Sequence, residues 1–318
     1  MSKSNNITLG VSAPPYLHWG KTIPSVMKEL CIALLPAAIM AVCNFGPAAL
    51  KVIGLAILAA VLTEAVCSKM TKSECRLDDF HAVYIGMLVA FMLPADAPWW
   101  LPVIGSAVAV GLGKMLFGGL GANPLCPPAV AWAILVFSWP ALMDASSVVL
   151  NSDLLDPLYR LKYFGAADAD ANFTLASLLL GQQMGGLGSS QAGALLVGGA
   201  FAAVRMNISI ETPIGFIVGV LLLGSILNVS NPTEYASGVF HLFAGSTLFG
   251  AFFLATEFGG SPSRPLARLL YGMIAGAMTI VIRVFGIHSD GVPFAILLAN
   301  LIMPFLDMIR PKPFGAKS

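Results

Sequence analysis

What most restricts this chain is the recurrence of long stretches without charge. From Leu30 to Leu50 there is no Asp, Glu, Lys or Arg, and similar stretches follow one another to the C-terminal end. An apolar run of about 18 residues or more is long enough to cross a bilayer as a helix. The composition agrees: 57% of residues are hydrophobic, 10% are charged, and the mean hydropathy is +0.84. Soluble domains carry about 25% charged residues. The expected class is an all-α polytopic membrane protein. A net charge of +1 gives no electrostatic basis for binding nucleic acid. The five cysteines (Cys31, Cys43, Cys67, Cys75 and Cys126) include no CxxC pair and read as small hydrophobes. The first 27 residues lack the apolar core of a signal peptide.

Ten membrane segments can be drawn, at 26–45, 48–67, 80–94, 99–117, 127–143, 191–206, 213–229, 237–256, 269–287 and 291–308. The third is short for a full span and reads as broken or tilted. Placing the N-terminus in the cytoplasm puts 13 of the 17 basic residues on that side and leaves Lys51, Arg160, Lys162 and Arg283 outside. That bias follows the positive-inside rule and places both termini in the cytoplasm. The organisation is a cytoplasmic tail (1–25), a first five-helix repeat (26–143), an acidic outer-face loop (144–190), a second repeat (191–308) and a short cytoplasmic tail (309–318).

The repeat is weak but visible. HAVYIGMLVAFMLP from His81 echoes HLFAGSTLFGAFFLAT from His241. Lys114 to Leu135 echoes Arg283 to Leu298: a basic residue, Phe-Gly, a small loop, Pro and an apolar run. Five spans per half reverse the second half in the membrane, and inverted repeats place sites near helix breaks between the halves.

Several motifs together resemble the NqrB/RnfD family: FGGLGANP (117–124), FFLATE (252–257), SPSRPLARLLYG (261–272) and DGVPFAILLAN (290–300), with ALLPA (33–37) near the start. The resemblance covers about 26–315, and the length is most like the RnfD members, which belong to the Rnf complex. It implies a ten-span inverted-repeat fold in the bacterial cytoplasmic (inner) membrane. It also implies a flavin-carrying subunit of an ion-translocating ferredoxin:NAD oxidoreductase, coupling electron transfer to Na⁺ or H⁺ movement. The implied partners are other membrane and peripheral subunits, among them an outer-face flavoprotein and iron–sulfur subunits, together with lipid.

The resemblance also implies cofactor sites. Family members carry FMN on a threonine in D-x-x-S/T-G-A-T. Here Asp168 and Thr174 keep the spacing, while A-N-F stands where S-G-A is usual. Thr174 is the candidate covalent FMN site, and a helix N-cap is its alternative. After it, Gly186, Gly188 and Ser189 are candidates for approaching a phosphate or flavin ring, or for a plain turn. A second flavin, riboflavin, is implied beside N-P-x-N-P-A, with Gly118, Gly119, Gly121 and Asn123 as candidates. Cys126 replaces the second asparagine, and a tight cytoplasmic turn is the alternative.

Charges within membrane segments are functional hypotheses. Glu64 and Glu257 are candidates for an ion path or for solvated charge at the cytoplasmic interface. Asp307 reads as interfacial, and Glu211 as a helix-dipole partner at the start of its span. His81 and His241 start equivalent helices. Arg264 and Arg268 read as anchors to lipid or a neighbouring subunit. No catalytic constellation or metal ligand set is present. Two other functions stay open from the residues alone: an inverted-repeat secondary transporter or channel, and a flavin-free membrane scaffold for redox partners.

Overall fold

The computed structural model describes residues 21–71, 77–143, 156–166, 169 and 172–309, and these are helical with no strand among them. In hydrocarbon every backbone N–H and C=O needs an internal partner, which a helix supplies within one segment. The first half holds α1 (Ile23–Phe45), α2 (Pro47–Met70), α3 (His81–Met92), α4 (Trp100–Val108) and α5 (Pro127–Ser138). Two short helices follow, α6 (Pro157–Phe164) and α7 (Leu175–Leu179). The second half holds α8 (Ala192–Val204), α9 (Glu211–Ser230), α10 (Gly238–Phe243), α11 (Thr247–Phe249), α12 (Pro265–Phe285) and α13 (Val292–Asp307).

Local sequence sets the joints. Gly46, at φ 69°, turns the chain directly from α1 into α2, whose first residue is Pro47. α4 continues through a π turn, Ala109–Lys114, and a 3₁₀ turn, Met115–Phe117. α11 runs into a second π turn, Gly250–Leu254. The ten apolar segments of the sequence are all found as helix, but five have the length and hydropathy to cross a membrane: α1, α2, α4 with its extension to Phe117, α9 and α12. α3, α5, α8 and α13 are shorter, and the eighth segment is broken between α10 and α11. α3 is enclosed by other parts of the protein; of its residues only Val83 is not buried.

Hydrogen bonds fix the relation of the halves. Near the C-terminal end of α1, Asn44 donates to Gly181 O (3.2 Å) and to Gln191 Oε1 (3.0 Å), at the start of α8. Near its N-terminal end, Glu29 accepts from Arg205 and Asn207, just past the end of α8. α1 and α8 therefore run antiparallel, and the second half starts from the opposite end. α2 packs on α3 and α4 as α9 packs on α10 and α12, and α5 meets α13 across the halves. Lipid tails are as apolar as leucine, so close packing must hold these helices together. Gly215 and Gly219 of α9 lie on the backbone of α12, and Gly272 and Gly276 return the contact. One end of the bundle carries the 118–126 loop and residues 257–263. The other carries α6, residues 185–190 and the 286–291 loop.

Candidate functional site

At the 118–126 end, Gly118, Gly119 and Gly121 have φ of 105°, 109° and 80°, a region that glycine enters without strain. A Cβ on Gly119 or Gly121 would meet nothing within 4 Å, so backbone conformation, not close approach, requires glycine there. The turn delivers Asn123 to the interior, where it is 1% exposed. Its Nδ2 donates to Glu257 Oε1 (3.1 Å) and Oε2 (3.0 Å) and to Leu125 O (3.1 Å). Glu257 also accepts from Gly260 N at 3.3 Å. Asn123 Oδ1 is buried without a partner among the described residues. Beside this pair, Tyr271 Oη meets the Asn300 amide at 2.5 Å. With that amide oriented so that its oxygen accepts from Cys126 N (2.8 Å), its nitrogen reaches Ile296 O and Gly260 O.

Nearby, Lys114 Nζ donates to Glu64 Oε1 at 2.5 Å and lies 3.9 Å from Asp79. Lys114 is 2% exposed and Glu64 3%. Solvated interfacial charge does not describe Glu64 or Glu257, because protein encloses both. Lys114 is likewise an interior residue rather than a loop cation, carried inward at the end of the π turn. Asp79 accepts from His81 N (2.8 Å), and both ring nitrogens of His81 are buried without a partner among the described residues.

At the opposite end is a cavity of about 310 Å³. Its walls include Trp132, Tyr159, Lys162, Gly186, Ser189, Ser246, His288 and Asp290. Arg283, from the end of α12, is buried and holds three acceptors: His241 O (2.8 Å), Ala244 O (3.2 Å) and Asp290 Oδ1 (3.0 Å). Lys162 on α6 donates to Gly286 O (2.5 Å), Ile287 O (2.7 Å) and His288 O (3.3 Å), tying α6 across the mouth. Burial holds the Lys162 ammonium below its usual pKa. It also holds the His288 imidazole below its usual value, with the Lys162 charge adding to the effect.

Gly186 and Ser189 line this cavity; Gly188 and Thr174 do not. The N–H groups of Leu187, Gly188 and Ser189 donate to Leu93 O (2.8 Å) and Phe91 O (3.2 and 3.0 Å), closing the C-terminal end of α3. A Cβ on Gly188 would enter the Phe91 ring, so that glycine serves helix packing. Thr174 is exposed and caps α7, its Oγ1 accepting from Ser177 N at 3.2 Å. Asp168 lies outside the described residues. Asn123 and Glu257 meet each other, while Glu64 has a separate partner. Glu211 opens α9, and His81 opens α3, but His241 lies within α10 rather than at its start. Asp307 accepts from Ser263 N and Oγ (3.0 and 3.1 Å), and Arg264 and Arg268 donate to Ile309 O and Pro262 O. Sequence reasoning missed the burial of Lys114 and Arg283 and the place of Ser246 and Asp290. The echo between the Lys114 and Arg283 stretches was the available signal. Among the described residues no cluster could hold a metal ion, and Cys31, Cys43, Cys67 and Cys126 are free thiols.

The fold and these sites define a polytopic helical membrane protein whose buried charges and polar pairs gather at helix breaks between two inverted halves. The family described as NQR2, RnfD, RnfE matches residues 10–315. The chain is 32% identical over 305 residues to the RnfD-type subunit of the Na(+)-translocating ferredoxin:NAD(+) oxidoreductase complex of Acetobacterium woodii, covering 95% of this chain and 94% of that one. It is 31% identical to the corresponding subunit of the proton-translocating ferredoxin:NAD(+) oxidoreductase complex of Clostridium ljungdahlii, covering 96% of each. It is also 31% identical to the corresponding subunit of the ion-translocating oxidoreductase complex of Yersinia pseudotuberculosis, covering 97% of this chain and 99% of that one. The chain belongs to the NQR2, RnfD, RnfE family.

Proposed function

We propose that this protein is the flavin-carrying membrane subunit of an ion-translocating ferredoxin:NAD oxidoreductase complex in the bacterial cytoplasmic membrane. It would act only with partner subunits, an outer-face flavoprotein and iron–sulfur proteins among them. The observation that carries the flavin part is the cavity beneath α6. Its 310 Å³ sits at the lower end of the ~300–1,000 Å³ of small-molecule sites. Its lining has the amphipathic character a flavin needs. Trp132 and His288 pack on Phe294 at ring distances of 5.2 and 5.1 Å, giving an aromatic wall. Ser246, Asp290 and Ser189 offer polar groups.

A flavin held there would supply one- and two-electron chemistry. The chain's own residues would hold it: Trp132 and His288 would offer their rings to it, and Tyr159 and Lys162 would place α6 against it. The exposed hydroxyl of Thr174 is the proposed attachment point for FMN. At the other end, the turn of Gly118, Gly119 and Gly121 before Asn123 is the proposed place of a riboflavin.

The lysine and arginine distribution supports a cytoplasmic 118–126 end and an outward-facing cavity. Glu64 and Glu257, enclosed near the cytoplasmic end, are the proposed ion-path carboxylates.

The test is flavin fluorescence of the subunit after denaturing gel electrophoresis, wild type against Thr174→Ala. A fluorescent band that the substitution abolishes is expected. If wild type gives no band and the native protein releases no flavin on extraction, the flavin reading fails and a membrane scaffold remains.

A further inference from the structure

Two polar groups in the cavity are fixed and yet incompletely used. Asp290 is held from behind by Arg283, while its Oδ2 accepts from Ser246 N at 3.0 Å and its Oδ1 from Val292 N at 3.4 Å. The side chain keeps 27% of its surface, facing the cavity it lines. A carboxylate has about four acceptor positions, so Oδ2 retains one. Ser246 is 5% exposed, lines the same cavity, and its Oγ has no partner among the described residues. The loop carrying it is immobilised: Gln183 accepts from Gly245 N (3.2 Å) and donates to Phe243 O (3.1 Å).

A free acceptor beside a free hydroxyl asks for a ligand edge with an N–H donor next to a carbonyl. The Trp132–His288 wall asks for a flat ring. A metal cation fits poorly, because the Arg283 guanidinium already stands 3.0 Å from Asp290. An imide edge on a planar heteroaromatic ring meets all three conditions. We propose that Asp290 and Ser246 recognise that edge, Asp290 accepting from the imide N–H and Ser246 Oγ donating to the adjacent carbonyl. The ring is the flavin of the reading above, on which this inference rests. The two residues therefore select for an unsubstituted imide.

The test uses the full chain carrying Thr174→Asn, which keeps an α7 cap residue but removes the hydroxyl needed for covalent attachment. Reconstituted in lipid nanodiscs, it is titrated with lumiflavin and with 3-methyllumiflavin, followed by fluorescence quenching. The expected result is binding of lumiflavin and at least tenfold weaker binding of the N3-methylated ring. Asp290→Asn then narrows that gap, and Ser246→Ala weakens lumiflavin by about fivefold, the size of one neutral hydrogen bond. Equal affinity for both rings in the parent chain overturns this assignment and leaves the flavin reading standing. Binding of neither ring also overturns this assignment, and the flavin reading is then decided separately by the fluorescent band of the wild-type chain. The decisive comparison uses two ligands on one protein, so a misfolded variant cannot produce it.

Discussion

Lys114→Met should be among the most damaging single changes in the bundle, and its effect should vanish when Glu64 is changed too. Lys114 is the hydrogen-bond partner of Glu64 Oε1 at 2.5 Å, and Glu64 Oε2 has none among the described residues. Removing the lysine leaves a carboxyl group 3% exposed with nothing to donate to it. Breaking one side of a buried ion pair costs ~3–5 kcal/mol, against a total stability of ~5–15 kcal/mol. Asp79 shares less of the loss: its Oδ2 is 3.9 Å from the Lys114 ammonium, but its Oδ1 keeps the His81 amide at 2.8 Å. Replacing both partners with apolar groups of similar volume removes the unpaired charge, and such exchanges are close to neutral. Lys114→Met with Glu64→Met should therefore lie within about 1 kcal/mol of wild type, giving a coupling energy of ~3 kcal/mol or more. Unfolding in mixed micelles, titrated with sodium dodecyl sulfate and followed by circular dichroism, measures all four corners of the cycle. A coupling energy below about 1 kcal/mol is the value of a solvated surface pair and would refute the reasoning.

Four further outcomes are expected. Gly276→Leu should destabilise by at least ~1–3 kcal/mol through overpacking, since even a Cβ there comes within 3.0 Å of Phe216 C and Val220 N; Gly54→Ala, with nothing within 4 Å, should stabilise α2 by up to about 1 kcal/mol in the same unfolding assay. Asn123→Leu strips Glu257 of its side-chain donor and should cost ~1–3 kcal/mol, with Glu257→Leu in the same chain restoring most of it by micellar unfolding. The His288 pKa lies below its ordinary 6.5 in the folded protein, so the unfolded chain binds more protons as pH falls through that value, and stability drops with acid. Melting temperatures at pH 7.5 and 5.5 should show that drop, and His288→Phe should reduce it.

The membrane class and the halves were legible because they rest on composition and chain order. Uncharged runs mark the segments, and an odd number of them inverts the second half whatever the side chains do. The boundary drawn between the first two segments, at 45–48, falls on Gly46-Pro47, and the glycine-rich stretch before Asn123 is a turn. What escaped depends on contacts distant in sequence. Nothing near Lys114 announces that Glu64, 50 residues earlier, will lie against it. A π turn shifts the facing of every later residue in its helix, and neither Ala109–Lys114 nor Gly250–Leu254 has a pattern distinguishing it from regular helix. Gly188 looks like a free backbone donor until the C-terminal end of α3 is seen to claim its amide with those of Leu187 and Ser189.

The echo between Lys114 and Arg283 shows how far a repeat carries a functional reading. In both halves a basic residue ends the fourth segment, is buried, pairs with an acid and lies near a buried histidine whose Nδ1 has no partner among the described residues. Inversion puts one such group at each end. The acids differ in origin: Glu64 comes from the second helix of its half, whereas Asp290 comes from the loop after the fourth. A helix-borne acid is enclosed by its neighbours on every side. A loop-borne acid is clamped by Arg283 and still faces the cavity. The repeat thus gives both ends the same cation, while the position of the acid decides which end presents a carboxylate to a ligand. Removing the loop carboxylate, by Asp290→Ala, should abolish selection for the imide N–H. Retained selection, read as the lumiflavin to 3-methyllumiflavin affinity ratio, would show that the loop carboxylate is not what the ring meets.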